Sequence, residues 1–157
     1  MPIHLHFALA LALPLAFPMP AQTSPSQTTL PQMRDQYRPL LIFAPQGDPR
    51  LSQQVESLRL HRNDLIDRQV KLVPFFHKYA GAVDSEIITF LPAEEPFLRK
   101  RFHISDKDFA VILIGKDGGE KLRSSKPLSF DKLRDAIDAM PMRRQETRKR
   151  ASPGLQP

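Results

Sequence analysis

Residues 109–124 read FAVILIGKDGGEKLRS, and this stretch decides the fold. It opens with an unbroken apolar run from Phe109 to Ile114, which is typical of a strand buried in a sheet. Asp117 and Gly118 follow as a pair that tolerates the left-handed backbone of a tight turn. Because residues 120–123 then return as a second strand, the stretch predicts an antiparallel β-hairpin.

A second apolar run lies nearer the N-terminus. Residues 40–44 (LLIFA) stand between two prolines and predict a strand buried on both faces. Asp48 and Pro49 then supply the residue types of a helix N-cap and of the first helical position. Leucine and valine recur beyond them at intervals of four, three and seven residues, which predicts one helix over 49–66.

The segment between the first helix and the hairpin contains another strand and another helix. Residues 70–76 (VKLVPFF) predict a strand, and Pro74 places it near a sheet edge or at a bulge because proline lacks a ladder donor. Residues 93–102 have acidic residues first and basic residues last, which complements the dipole of a short helix. The sequence gives no pattern for the conformation of 77–92.

The hairpin is followed by a closing helix. Ser129 is of the N-cap type, and Leu128 and Leu133 have the spacing of a hydrophobic staple. An apolar stripe then continues to Met140, where Pro141 is expected to stop the helix. The resulting order is strand, helix, strand, helix, hairpin, helix. This order predicts an α/β, thioredoxin-like fold with a central mixed sheet of about four strands and flanking helices.

Four stretches of the chain also resemble one family, the domain of unknown function numbered 4174. They are RPLLIFAPQGDPRL (38–51), LRKRFHI (98–104), FAVILIGKDGGEKLRS (109–124) and IDAMPMRRQE (137–146). The GKDGG and MPMRRQE runs are the specific part of this resemblance. It implies a fold similar to thioredoxins and peroxiredoxins. It also implies relatives among exported bacterial proteins and animal extracellular matrix proteins, and no firmly attached activity.

The redox chemistry of that fold is excluded by composition. The 157 residues contain no cysteine, so they offer no thiolate and no disulfide. In thioredoxins the active cysteines lie where the first strand meets the first helix. Here that stretch is 44–50 (APQGDPR), without cysteine, serine or threonine. The loop before the hairpin, 106–109 (DKDF), lacks the proline that faces the thioredoxin site.

The two ends of the chain predict export and a short disordered tail. Residues 1–21 have the apolar run and small-residue end of a cleaved signal peptide, and a single-pass anchor is the alternative. We expect a flexible leader over 22–37, the folded domain over 38–144 and a disordered basic tail over 145–157. The location would be the periplasm or outside the cell, and the protein would not be membrane-embedded after signal cleavage.

Charge restricts the class of partner. The formal net charge is +6, and residues 143–150 (RRQETRKR) alone carry five basic residues and one acidic residue. The remainder is too weakly basic for a dedicated nucleic-acid face, so no specific nucleic-acid binding is predicted. The basic end is either a solvated terminus or a contact for an anionic partner.

Three sets of residues are candidates for binding. Around the glycine-rich turn they are Lys116, Lys121 and Arg123, which a hairpin with solvated side chains also explains. After the closing helix they are Met142, Arg143 and Arg144, which suit an adaptable protein contact. The alternative there is that Met140 and Met142 seal the core. At the strand–helix junction they are Gln46, Gly47, Asp48 and Arg50, where an anion would compete with capping by Asp48.

No catalytic residue, cofactor or metal site is predicted. His77, Asp84 and Glu86 could form a carboxylate–imidazole metal site, but nothing in the sequence brings these residues together. The leading hypothesis is an exported, non-catalytic binding or structural module that meets a protein or acidic partner. The alternative is an enzyme or redox or stress accessory with cysteine-independent chemistry at the strand–helix junction. The oligomeric state is not predicted.

Overall fold

In the described part of the chain, four strands form one sheet around the two apolar runs of the sequence. The computed structural model describes residues 29–75 and 84–151. The strands are β1 (Arg38–Phe43), β2 (Val70–Phe75), β3 (Ala110–Ile114) and β4 (Glu120–Ser124). Their order across the sheet is β2-β1-β3-β4, so the two apolar runs occupy the centre. Every residue of β1 and of β3 is buried, as expected for strands covered on both faces.

The sheet is mixed. β1 pairs in parallel with β2, from Arg38 opposite Val70 onward, and antiparallel with β3. β3 and β4 form the predicted antiparallel hairpin, and Gly118 in its turn has a φ of +79°. Pro74 lies in the edge strand β2, which confirms the expectation from its missing N–H donor.

Five helices occur within 29–75 and 84–151. They are α1 (Pro49–Arg59), α2 (Arg62–Asp67), α3 (Glu95–Phe102), α4 (Phe130–Asp138) and α5 (Pro141–Ala151). Helices α1, α2 and α4 pack on one face, where the core includes Val55, Leu65 and Leu133, each fully buried. Helix α3 packs on the other face through Leu98 and Phe102. Burying each such side chain stabilises the fold by about 1.5–3 kcal/mol.

The predicted helix caps are present. Asp48 accepts a hydrogen bond from the backbone N–H of Arg50 at the start of α1, with Pro49 at the first helical position. Ser129 accepts one from the N–H of Lys132 at the start of α4. Each side chain satisfies one of the free donors that every helix N-terminus exposes.

The predicted single helix over 49–66 is wrong. The chain turns at Leu60 and His61, and the His61 ring stacks on Phe130 with centroids 4.0 Å apart. Leu60 is 85% exposed, whereas Leu65 stays in the core. The apolar spacing predicted which residues are buried, but it could not show this change of direction.

Both ends of the folded domain extend beyond the predicted limits of 38 and 144. Residues 31–33 form a 3-10 turn, and Leu30 and Met33 pack into the core on the α3 face. At the other end α5 continues to Ala151, so 145–151 are helical and not a disordered tail. Pro141 begins α5 instead of only ending α4, because proline suits a first helical turn. The predicted signal peptide over 1–21 and the first part of the predicted leader, residues 22–28, lie outside the described residues.

The connection between β2 and α3 is described from residue 84 onward. Ile87 and Ile88 are buried, and Ile88 makes an isolated parallel bridge with Leu72 on the outer edge of β2. Residues 92–94 form a 3-10 turn before α3, which shortens the helix predicted over 93–102. None of the helices in the described ranges is long and apolar enough to span a membrane.

Candidate functional site

An ion pair between Asp48 and Arg50 lies at the junction between β1 and α1. Gly47 has a φ of +77°, a left-handed conformation that glycine adopts without strain, and Gln46 beside it is exposed. The carboxylate of Asp48 caps α1 and also accepts from the Arg50 guanidinium, with Nη2 and Oδ2 2.5 Å apart. Side-chain hydrogen bonding to Arg50 holds the pKa of Asp48 below its ordinary value. The Asp48 carboxylate is therefore charged and already hydrogen-bonded to Arg50.

Two arginines fill the space between this junction and the loop before β3. The Arg50 guanidinium lies 4.6 Å from the centroid of the Phe109 ring. Arg99 of α3 donates to the carbonyl of Ala44 at 3.3 Å and to the carbonyl of Ser105 at 3.0 Å. Arg99 therefore ties the two loops together. The sequence predicts Arg99 only as a helix-end cation, and nothing in its spacing points to this bridge.

A cavity of about 280 Å³ opens at the opposite end of the sheet. Its lining comes from the hairpin (115–117 and Lys121), from the start of β1 (Arg38), and from Met140 and the first two residues of α5 (141–142). We call it the hairpin–α5 cavity. Of the predicted binding residues, Lys116, Lys121 and Met142 meet here.

Lys116 is buried against the cavity and anchors α5. Its Nζ lies 2.7 Å from Oε1 of Glu146 and also donates to Gln69. The same Glu146 oxygen accepts from Nη2 of Arg38 at 3.0 Å. Burial raises the pKa of Glu146, but hydrogen bonds from Lys116 and Arg38 outweigh it and leave the pKa below its ordinary value. These contacts fix the middle of α5 to the ends of β1 and β3.

Arg143 forms a second group of ion pairs that holds α5. It is 7% exposed, donates to the carboxylate and the carbonyl of Asp67, and contacts Asp138 at 3.4 Å. Arg150 reaches the same Asp67 carboxylate. The sequence predicts Arg143 as a recognition residue, whereas the structure places its guanidinium between α5 and the end of α2. Its role in the fold is to hold the helix.

Arg123 lies on the face of the sheet that α3 covers, apart from the hairpin–α5 cavity. It donates to the carbonyl of Phe102 at 2.9 Å and pairs with Glu120 at 2.7 Å. Lys121, in contrast, is partly exposed at the cavity and pairs with Asp117 at 2.5 Å. The three basic residues predicted around the turn therefore do not form one patch.

The outward face of α5 is basic. Arg144, Arg148 and Lys149 are exposed, and no carboxylate of the described ranges lies within ion-pairing distance of any of the three. Arg144 and Arg148 border a shallow groove of about 540 Å³ beside Arg68 and Asp138. Met142, predicted together with Arg144, is 39% exposed, whereas Met140 packs partly against the core.

The sequence does not predict several of the residues that hold this region together. Arg38, Asp67 and Asp138 have no chemical motif, although a charged residue at the head of a buried strand is a visible signal in the case of Arg38. Asp84 and Glu86 of the carboxylate–imidazole set both pair with Arg62, and His77 lies outside the described residues. No group of three or more metal-ligating side chains occurs within 29–75 and 84–151.

Solved structures with a similar fold include several peroxiredoxins. The reduced 2-Cys peroxiredoxin of Plasmodium vivax has 18% identity over 75% of this chain and 84% of that chain, with a TM-score of 0.57. Thioredoxin peroxidase I of Plasmodium yoelii has 14% identity over 82% and 83%, with a TM-score of 0.55. The mitochondrial 2-Cys peroxiredoxin of Plasmodium falciparum has 11% identity over 80% and 84%, with a TM-score of 0.50. At these identities the likeness establishes the fold alone, which is thioredoxin-like α/β.

The sequence was also compared with curated proteins and with models of protein families. No curated protein matches the chain at a significant level. A family model described as "Domain of unknown function (DUF4174)" matches residues 29–146. The matched range includes Leu30, which packs into the core, and the α5 anchor Glu146. It covers well over half of the sequence, and the chain therefore belongs to the DUF4174 family.

Proposed function

We propose that this protein is an exported, non-catalytic binding module that contacts an acidic protein partner through the outward face of α5. The observation that carries this proposal is the set of exposed cations on that helix, Arg144, Arg148 and Lys149. Arg144 and Arg148 are four residues apart and so lie on one side of α5. An arginine without an internal carboxylate is available for a bidentate pair with a partner's carboxylate.

The anchoring of α5 supports this proposal. Arg143 and Glu146 point to the protein body and hold α5 by ion pairs to α2, β1 and the end of β3. The outward cations are therefore presented on a fixed surface, and less conformational entropy is lost when a partner binds.

The state of the β1–α1 junction supports a non-catalytic role. The chain has no thiol, and the charged groups of the junction are engaged with each other and with backbone carbonyls. The alternative, cysteine-independent redox or stress chemistry at Asp48 and Arg50, would require these groups to leave their present partners. A free, convergent reacting group would favour that alternative.

Export is proposed from the sequence of residues 1–21, an apolar run that ends in small residues. Fractionation of cells that express the full chain tests it. We expect a shortened product in the periplasm or the medium, and deletion of 1–21 should keep the protein in the cytoplasm. Full-length protein in the membrane fraction would indicate the single-pass anchor instead.

Capture of the partner tests the binding role. We expect a photo-crosslinking residue in place of Arg144 to capture an acidic protein when the chain is expressed in its own cells. The same residue in place of Lys132, on the exposed side of α4, is the matched control and should capture none. The Arg144→Glu, Arg148→Glu double variant should lose the partner, while Arg134→Glu, whose arginine already pairs with Asp131 and Asp135, should keep it.

The same experiment distinguishes other partner classes. Crosslinks to nucleic acid, or co-sedimentation with anionic lipid vesicles that disappears at moderate salt, would replace the proposed protein partner with a nonspecific polyanion. Equal capture from positions 144 and 132 would contradict a specific surface on α5.

A further inference from the structure

We propose that the hairpin–α5 cavity binds a small monocarboxylate attached to an apolar body. This inference goes beyond the proposed partner contact, because the cavity and the outward face of α5 are separate surfaces. Three observations support it: the charge of the lining, the start of a helix, and a wall of apolar side chains.

The charges around the cavity leave one positive charge uncompensated. Arg38, Lys116 and Lys121 line it, and Asp117 is the acidic residue in the lining. Glu146 lies behind the wall and accepts from both Arg38 and Lys116. Three cations and two carboxylates give a net charge of +1, which complements a monoanion.

Arg38 has a hydrogen-bond donor without a partner. Its side chain is 1% exposed, and its Nε has no acceptor within the part of the chain that the structure describes. A buried N–H without a partner is costly, because it has lost its water without gaining a replacement. Oε2 of its partner Glu146 is likewise buried without a donor, so both atoms lie on the packed side of the pair. A ligand would meet the positive charge of the Arg38 guanidinium at the cavity wall and not this N–H.

Helix α5 begins at the cavity. Pro141 and Met142 are its first residues and belong to the lining. Within 29–75 and 84–151, the backbone N–H groups of Met142 and Arg143 donate to no residue of a neighbouring element, whereas that of Arg144 donates to Met140. The positive end of an eleven-residue helix dipole therefore adjoins the same space.

The remaining wall is apolar and adaptable. Met140, Pro141 and Met142 supply two thioethers and a proline ring. Methionine side chains adjust to the shape of a ligand more readily than branched side chains. A cavity of about 150 Å³ holds benzene, so a cavity of about 280 Å³ suits a ligand of about ten non-hydrogen atoms.

Asp117 would repel an anion, but the local geometry limits this effect. Its Oδ1 accepts from the N–H of Gly119 at 3.0 Å, and its Oδ2 accepts from Lys121 at 2.5 Å. The Lys121 pair is partly exposed, and such pairs contribute little. Lys121 can therefore turn toward a ligand carboxylate while Asp117 keeps its backbone hydrogen bond.

Titration of the folded chain with phenylacetate, followed by amide chemical shifts in NMR, tests the proposal. We expect saturable shifts at Gly115, Lys121 and Met142 with a Kd on the order of 1 mM. Phenylacetamide, which has the same shape without the charge, should bind about fivefold more weakly or worse. Lys121→Gln should weaken phenylacetate binding by a similar factor, and Lys132→Gln, an exposed lysine on α4, should leave it unchanged.

Three results would overturn the proposal. They are the absence of saturable shifts with both phenylacetate and hexanoate, equal binding of phenylacetate and phenylacetamide, and shifts confined to the outward face of α5. The first two results do not bear on the partner captured at position 144, and the third would leave that partner contact standing, so the two proposals fail separately.

Discussion

At the scale of single residues, Asp48 defines how α1 begins. Its carboxylate accepts the N–H of Arg50 at 2.9 Å and also binds the guanidinium of the same residue. An aspartate at this position satisfies a helix donor that would otherwise lack a partner, whereas the ion pair is partly exposed and contributes less.

Two substitutions separate the contributions of Asp48. We expect Asp48→Ala to lower the free energy of unfolding by about 1 kcal/mol, because the cap is lost. Asp48→Asn should cost less than about 0.5 kcal/mol, since asparagine caps as well as aspartate and loses only the ion pair. Urea unfolding followed by circular dichroism measures both, and equal losses would show that the ion pair is the main contribution.

Glu146 is the residue that fixes α5 to the sheet. We expect Glu146→Ala to lower the free energy of unfolding by about 2–3 kcal/mol, because Arg38 and Lys116 would lose their shared carboxylate while staying buried. Glu120→Ala, which breaks the exposed pair with Arg123, is the control and should cost about 1 kcal/mol or less. Similar losses for both variants in urea unfolding would contradict an anchoring role for Glu146.

At the scale of elements, α5 differs from the other helices in what holds it. Its buried residue is an arginine, whereas α1 and α4 bury leucine, isoleucine and valine. Helix α5 therefore docks through charge, and charge depends on pH. Asp67, Asp138 and Glu146 supply the carboxylates on which this docking depends.

Acid should release α5 before it unfolds the sheet. Burial raises the pKa of Asp67, Asp138 and Glu146, but hydrogen bonds from arginine and lysine outweigh it, and all three pKa values lie below their ordinary values. A lowered folded-state pKa means that the stabilisation is complete above the unfolded pKa of about 4 and is lost as the pH falls through the folded-state values.

Hydrogen exchange of α5 amides between pH 6 and pH 3 measures this release. After correction for the intrinsic pH dependence of exchange, we expect protection of α5 to fall toward pH 3 while β1 and β3 stay protected. The Glu146→Gln variant should show weaker protection at pH 6 and a smaller change with pH. Protection of α5 that is constant over this range would contradict docking by charge.

At the scale of the whole molecule, the apolar pattern of the sequence predicts the sheet. It does not predict the ion pairs between distant parts of the chain. The runs at 40–44 and 109–114 and the caps Asp48 and Ser129 are local signals, and the structure confirms them. The docking of α5 depends on partners such as Arg38 and Glu146, which are 108 residues apart in sequence. The periodicity of a sequence does not show which distant residues form ion pairs. For this reason the basic stretch from residue 145 onward is predicted as a disordered tail.

The predicted binding residues also fall into two groups, those that line the cavity and those that hold the fold. Lys116, Lys121 and Met142 were predicted from composition, and the fold gathers them around one cavity. Arg143 is also a basic residue in a predicted binding segment, but its ion pairs with Asp67 of α2 and Asp138 of α4 hold it inside the fold. Residue type alone could not separate a free arginine from an engaged one.

Our central proposal is that this thioredoxin-like domain, which has no thiol, binds a partner and does not catalyse electron transfer. A peroxide-consumption assay with the purified chain from residue 22 onward and dithiothreitol as reductant tests this claim most directly. We predict a rate equal to that of dithiothreitol alone. Turnover above that background, abolished by Arg50→Ala in a variant that remains folded, would contradict the claim and place cysteine-independent chemistry at the β1–α1 junction.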